Sequence, residues 1–136
     1  MAIPAPLRRE VTERARHRCE YCGLAQAGQE AAFHIDHVRP VTAGGETRAE
    51  NLALACVSCS LRKGDRESAV DPETGRETAL FNPRLDLWSE HFQWNGVQVV
   101  GRTMMGRAMV AALRMNRAVA LAIRAEEVFR LRHPPP

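Results

Sequence analysis

Cys19, Cys22, Cys56 and Cys59 form two Cys-x-x-Cys pairs, with 34 residues from Cys22 to Cys56, and they are the only four cysteines in the chain. Met1–Arg9 lacks the charged n-region followed by an apolar run that marks a secreted chain, so the expected compartment is the cytoplasm, where disulfides are rare. In a reducing setting, two such knuckles read as one tetrahedral Zn²⁺ site, each turn presenting two thiolates to the same ion. The alternatives are two redox motifs or four buried free thiols. The gap is longer than in common short zinc fingers, so a small sub-structure must fit between the knuckles.

The rest of the composition narrows the class. A chain of 136 residues and 15.2 kDa is one domain long, with room for a small extension. With 45% hydrophobic and 26% charged residues it is globular, and its 5% aromatics leave the core to Leu, Val, Ala and Met. No apolar run approaches the roughly 20 residues of a membrane span. A net charge of +3 is too small to imply nucleic acid by itself. Of the 19 basic residues, however, Lys63 is the sole lysine. Arginine's planar fork matches phosphate, although GC-rich codon usage enriches arginine too.

Local patterns place the elements. Pro6 and the spacing of Leu7, Val11 and Ala15 predict a helix over 6–18. Residues 32–38 read as a strand, 39–50 as a loop with Pro40, Gly44 and Gly45, and 52–55 as a short apolar strand. Ser58–Lys63 starts a helix that Gly64 stops. Asp71–Gly75 is a turn, and Asn95-Gly96 between 91–94 and 97–100 signals a hairpin. Thr103–Leu131 is helical with a break near Asn116, and Pro134–Pro136 is a frayed tail.

Between the knuckles stand His34, Asp36, His37 and Asn51, with Ser60 and Lys63 just after the last cysteine. Alternation puts Asp36 and His37 on opposite faces of a strand, and His34 with Asp36. A carboxylate can hold a hard divalent ion, and an imidazole can take a proton from water near neutral pH. Together they make a minimal kit for phosphodiester hydrolysis. The competing reading makes His37 a packed or zinc-adjacent histidine and Asp36 a loop cap.

The order Cys-x-x-Cys, His-Ile-Asp-His-Val, Gly-Gly, Glu-Asn-Leu, Cys-x-x-Cys-x-x-x-Lys-Gly, from about Arg18 to Asp65, resembles the HNH endonucleases. That resemblance implies a ββα-metal fold, two short strands and a helix around a catalytic divalent ion, stapled by four thiolates. It implies that Asp36 is the metal-binding acid and His37 the general base. It implies that Asn51 fixes the loop that aims the histidine. The family's usual Asn or His after the last cysteine is Ser60 here. A hydroxyl is a weaker ligand, so Ser60 or His34 completes the catalytic metal site.

Lys63 and Arg39 are candidate phosphate contacts; a solvated surface lysine is the other reading of Lys63. On one continuous helix Arg107, Arg114, Arg117 and Arg124 would form a basic stripe, or else a solvated face. Trp88, Phe92 and Trp94 read as core of the extension. The fold expected is α+β: a zinc-bound ββα-metal core with an N-terminal helix over 1–70, and a hairpin-plus-helix extension over 71–136. The function expected is DNA hydrolysis with structural Zn²⁺ and catalytic Mg²⁺ or Mn²⁺. The alternative is a non-catalytic zinc module that binds DNA or a protein.

Overall fold

The computed structural model describes residues 3–136, a mixture of helices and three two-stranded antiparallel sheets. The chain divides into two compact units. The first holds the residues up to Glu67 together with Asn82–Leu85, and the second holds Ser68–Phe81 with Asp86–Pro136.

In the first unit, helix α1 (Ala5–Arg14) begins behind Pro4 and buries Val11 completely. It is shorter than its apolar spacing predicts. Arg16 and His17 take positive φ values of 55° and 58°, which ends the helix and turns the chain into the first knuckle. An isolated bridge between Arg18 and Ala25 closes that knuckle. Strand β1 (His34–His37) pairs with β2 (Leu52–Ala55), with His34 opposite Ala55 and His37 opposite Leu52. All four β2 residues are buried, which is why they read Leu-Ala-Leu-Ala without alternation. Helix α2 (Val57–Lys63) is capped by Cys56, whose sulfur accepts from the Cys59 amide at 3.4 Å.

In the second unit, β3 (Ser68–Val70) and β4 (Glu77–Ala79) form a hairpin absent from the sequence reading, around the expected turn. Asp71, completely buried, accepts from the Glu73 amide, the Thr74 hydroxyl and the Arg107 guanidinium. A four-residue helix, α3 (Trp88–His91), leads into β5 (Phe92–Asn95) and β6 (Gln98–Gly101). Asn95 pairs with Gln98, so the two-residue loop is Gly96-Val97, one position beyond the Asn-Gly signal. Gly96 has φ 62° and fills the first central position, where a type II′ turn takes its glycine. Trp88 stacks on Phe92 at 5.0 Å and lies 5.1 Å from Trp94, an aromatic cluster in which Phe92 is buried and both tryptophans are half-buried.

The basic stripe does not form. The C-terminal segment is two helices, α4 (Met104–Ala112) and α5 (Ala118–Phe129). Between them Arg114 takes φ 47°, and the Asn116 side chain makes two 2.8 Å bonds to the backbone of Val99. That side chain occupies a β6 edge that a continuous helix would leave open. Arg107 is spent on Asp71 and Glu73. Arg124 is buried, donating to the carbonyls of Val97 and Met115. Of the four, Arg114 is exposed and Arg117 half-buried.

Candidate functional site

The two knuckles meet. The sulfurs of Cys19, Cys22, Cys56 and Cys59 all lie within 4.8 Å of one another, and all four residues are buried. None is in a disulfide. A tetrahedral ion with Zn–S bonds of about 2.3 Å requires sulfurs about 3.8 Å apart. The Cys22 and Cys56 sulfurs are 3.8 Å apart. In each knuckle the amide three residues on points at the first sulfur, Cys22 to Cys19 and Cys59 to Cys56. Hydrogen bonds from Cys19 and its neighbours hold the Cys22 thiol well below its ordinary range, while burial pushes Cys19 well above. A buried cation answers that conflict by letting all four ionise. Among the described residues this is the single cluster of three or more metal-ligating side chains, and its donor set suits Zn²⁺.

β1 and β2 lie between the knuckles and present the rest of the site. Asp36 is 8% exposed. Its Oδ2 accepts from the Tyr21 hydroxyl at 2.6 Å and lies 3.1 Å from the Lys63 ammonium. Burial raises the Asp36 carboxyl above its ordinary value, opposed by Lys63 and the Tyr21 hydroxyl. Burial, then the Asp36 charge, pushes the Tyr21 phenol well above its own. Lys63 is 1% exposed and also donates to the His37 carbonyl at 3.0 Å. It therefore does not reach outward for phosphate, which corrects the sequence expectation. A fully buried ammonium needs a carboxylate and a carbonyl, and α2 points it at both.

His37 is half-buried, with Nε2 hydrogen-bonded to the Thr47 hydroxyl at 2.9 Å. That bond leaves Nδ1 as its other ring nitrogen. Asn51 ties the intervening loop together: its Oδ1 accepts from the Arg39 amide at 2.9 Å. Its Nδ2 donates to the carbonyls of Arg39 and Glu46 at 3.1 and 2.9 Å. The same crossing explains Gly45, where a Cβ would lie 1.8 Å from the Arg39 carbonyl oxygen. Arg39 itself is exposed, 3.9 Å from Glu67.

Ser60 and His34 are bonded to each other, Oγ to Nδ1 at 2.9 Å. Ser60 lines an open cavity of about 270 Å³ with Asp36, His37 and Asp65. Asp36 and His37 thus face one space although they alternate along β1. The sequence reading missed Tyr21, Thr47 and Asp65. Tyr21 and Thr47 contribute through fold contacts and Asp65 through its place on the cavity wall, and residue type alone gives no signal for any of them.

The HNH endonuclease family model matches residues 19–66, about a third of the chain, spanning both knuckles, both strands and α2. Searches of curated proteins and of solved structures find no match.

Proposed function

We propose that the first unit is a zinc-stapled ββα-metal nuclease that hydrolyses DNA phosphodiester bonds. The observation that carries this reading is the His37 imidazole, anchored through Nε2 by Thr47 and sharing an open cavity with the Asp36 carboxylate. The match over residues 19–66 supports it. His37 takes a proton from the attacking water at Nδ1. Asn51 fixes the loop from Arg39 to Glu46 and so steadies the Thr47 hydroxyl against the ring. Asp36, with Ser60 beside it, would hold a divalent Mg²⁺ or Mn²⁺. One carboxylate plus a hydroxyl suits an ion that keeps several waters and takes substrate phosphate. Such an ion supplies charge stabilisation at the phosphoryl group. Tyr21 and Lys63 hold the Asp36 carboxylate in its orientation, and the four thiolates hold Zn²⁺ with a structural role. Arg39, exposed and two residues beyond His37, contacts backbone phosphate.

A second reading, a zinc module that binds DNA or a protein without cutting, draws support from two features. The Lys63 ammonium already neutralises Asp36, and Ser60 is a poor ligand. One experiment separates the two readings. Purified chain is incubated with supercoiled plasmid and Mg²⁺ or Mn²⁺, beside His37→Ala. A general base contributes about 10²–10⁴ in rate, so His37→Ala should cut at most about a hundredth as fast while keeping its zinc. No cleavage by the wild type with either ion, or equal cleavage by the variant, removes His37 from catalysis.

A further inference from the structure

A second open cavity, of about 560 Å³, shares the wall formed by Ile35, His37, Val41 and Ser60 with the first. The two spaces differ in charge. The first adds Asp36 and Asp65; the second adds Arg8 and His34 and contains no acidic residue. His37 and Ser60 therefore stand on a boundary between an acidic side and a basic side.

Arg8 comes from the exposed face of α1. Three other arginines of the unit are engaged. Arg14 donates to the carbonyls of Ala49 and Leu52, Arg48 pairs with Glu46 and Glu50, and Arg84 pairs with Glu20. Among the described residues no acidic side chain neutralises the Arg8 guanidinium. An unpaired guanidinium on an acid-free cavity wall selects an anion, and its planar fork matches two phosphate oxygens. The shared wall supplies Ile35 and half-exposed Val41, apolar faces against which a sugar can lie.

We propose that this cavity is the subsite for the nucleotide flanking the scissile phosphate in duplex DNA, with Arg8 gripping that nucleotide's backbone phosphate. The proposal rests on the nuclease reading and extends it. It makes α1, which lies outside the matched residues 19–66, part of the substrate-binding surface.

The test measures duplex DNA binding by the zinc-loaded chain in a His37→Ala background, by fluorescence anisotropy across a potassium chloride series. Arg8→Gln is compared with Arg9→Gln, the adjacent exposed arginine, which does not line the cavity and removes the same charge. Arg8→Gln should weaken binding about tenfold, the size of one charge-assisted contact. It should also flatten the log–log salt slope by about 0.9. Arg9→Gln should leave the slope in place. Equal effects of the two variants, or an unchanged slope in Arg8→Gln, overturn the subsite. If wild type cuts plasmid and Arg8→Gln still binds like its parent, the subsite alone falls. If the His37→Ala parent binds no duplex and wild type cuts none, the nuclease reading falls with it. Neither substitution touches the core, so unchanged zinc content and circular dichroism are expected in both.

Discussion

Lys63→Met removes the cation from a nearly dry pair. At 3.1 Å and an effective dielectric constant of 20, the Lys63–Asp36 attraction is about 5 kcal/mol before desolvation. Removing only the lysine strands Asp36 in its buried position with Tyr21 as its remaining partner and leaves the His37 carbonyl without its donor. Breaking a buried pair in this way costs about 3–5 kcal/mol. The double variant Asp36→Asn/Lys63→Met removes both charges and should recover most of that loss. The readout is native-state hydrogen exchange of the β1–β2 amides, which follows the first unit itself. The pH dependence is a second readout. Burial sets the folded Asp36 pKa above its unfolded value, so its contribution to stability is fully present below the ordinary carboxylate range and is lost as pH rises through the raised value. Without Lys63 the raised value moves higher still, and the loss moves to higher pH with it. A cost under about 1 kcal/mol for Lys63→Met, or a double variant as unstable as the single, would refute the account of Lys63 as the internal counter-ion.

Three further outcomes are expected. Elemental analysis should give one zinc per chain, and a strong chelator or Cys56→Ser should abolish exchange protection in β1–β2, because structural zinc supplies roughly 10–16 kcal/mol of apparent binding energy. Zinc-free protein with protection intact would show that the thiols need no ion. Ser60→Asn should lower the Mg²⁺ or Mn²⁺ concentration for half-maximal cleavage, since an amide oxygen is the better ligand; an unmoved midpoint would put position 60 outside the metal's reach. Arg107 holds the Asp71 carboxyl well below its ordinary value, so that carboxylate stabilises the second unit above the ordinary range and the effect is lost as pH falls through the lowered value. Arg107→Gln should therefore flatten the acid limb of unfolding followed by Trp88 and Trp94 fluorescence, and an unchanged limb would exclude the pair as its source.

What could be read from the sequence was what is local. Each knuckle is a four-residue motif whose amide-to-sulfur bonds close within it, so spacing alone announces it. β1 and β2 are short, and their boundaries follow the apolar residues to within two positions. The burial of Lys63 is not legible because its partner, Asp36, lies 27 residues away, and nothing near Lys63 distinguishes a buried ammonium from a solvated one. The arginine stripe failed for a related reason. Helical geometry places those residues together only if the helix continues, and the break is set by Asn116 bonding to Val99, a contact made in space. β3 and β4 have three residues each, too few for alternation to register. Gly45 looked like a turn residue, but what requires glycine there is the Arg39 carbonyl across the loop.

Arg84 lies 64 residues from Glu20 and yet belongs to the same unit. Glu20 sits inside the first knuckle, where its backbone amide donates to the Leu54 carbonyl and its carboxylate accepts from the Leu54 amide, both at 2.8 Å. Arg84 pairs with the other oxygen of that carboxylate. A fragment cut after the last matched residue, Arg66, would carry every thiolate and every candidate catalytic group but leave Glu20 without the Arg84 cation. The portable piece for expression, grafting or domain fusion is therefore longer than the motif that identifies it. The first unit reaches Leu85, and the β3–β4 segment in between belongs to the second unit, where Arg107 holds Asp71.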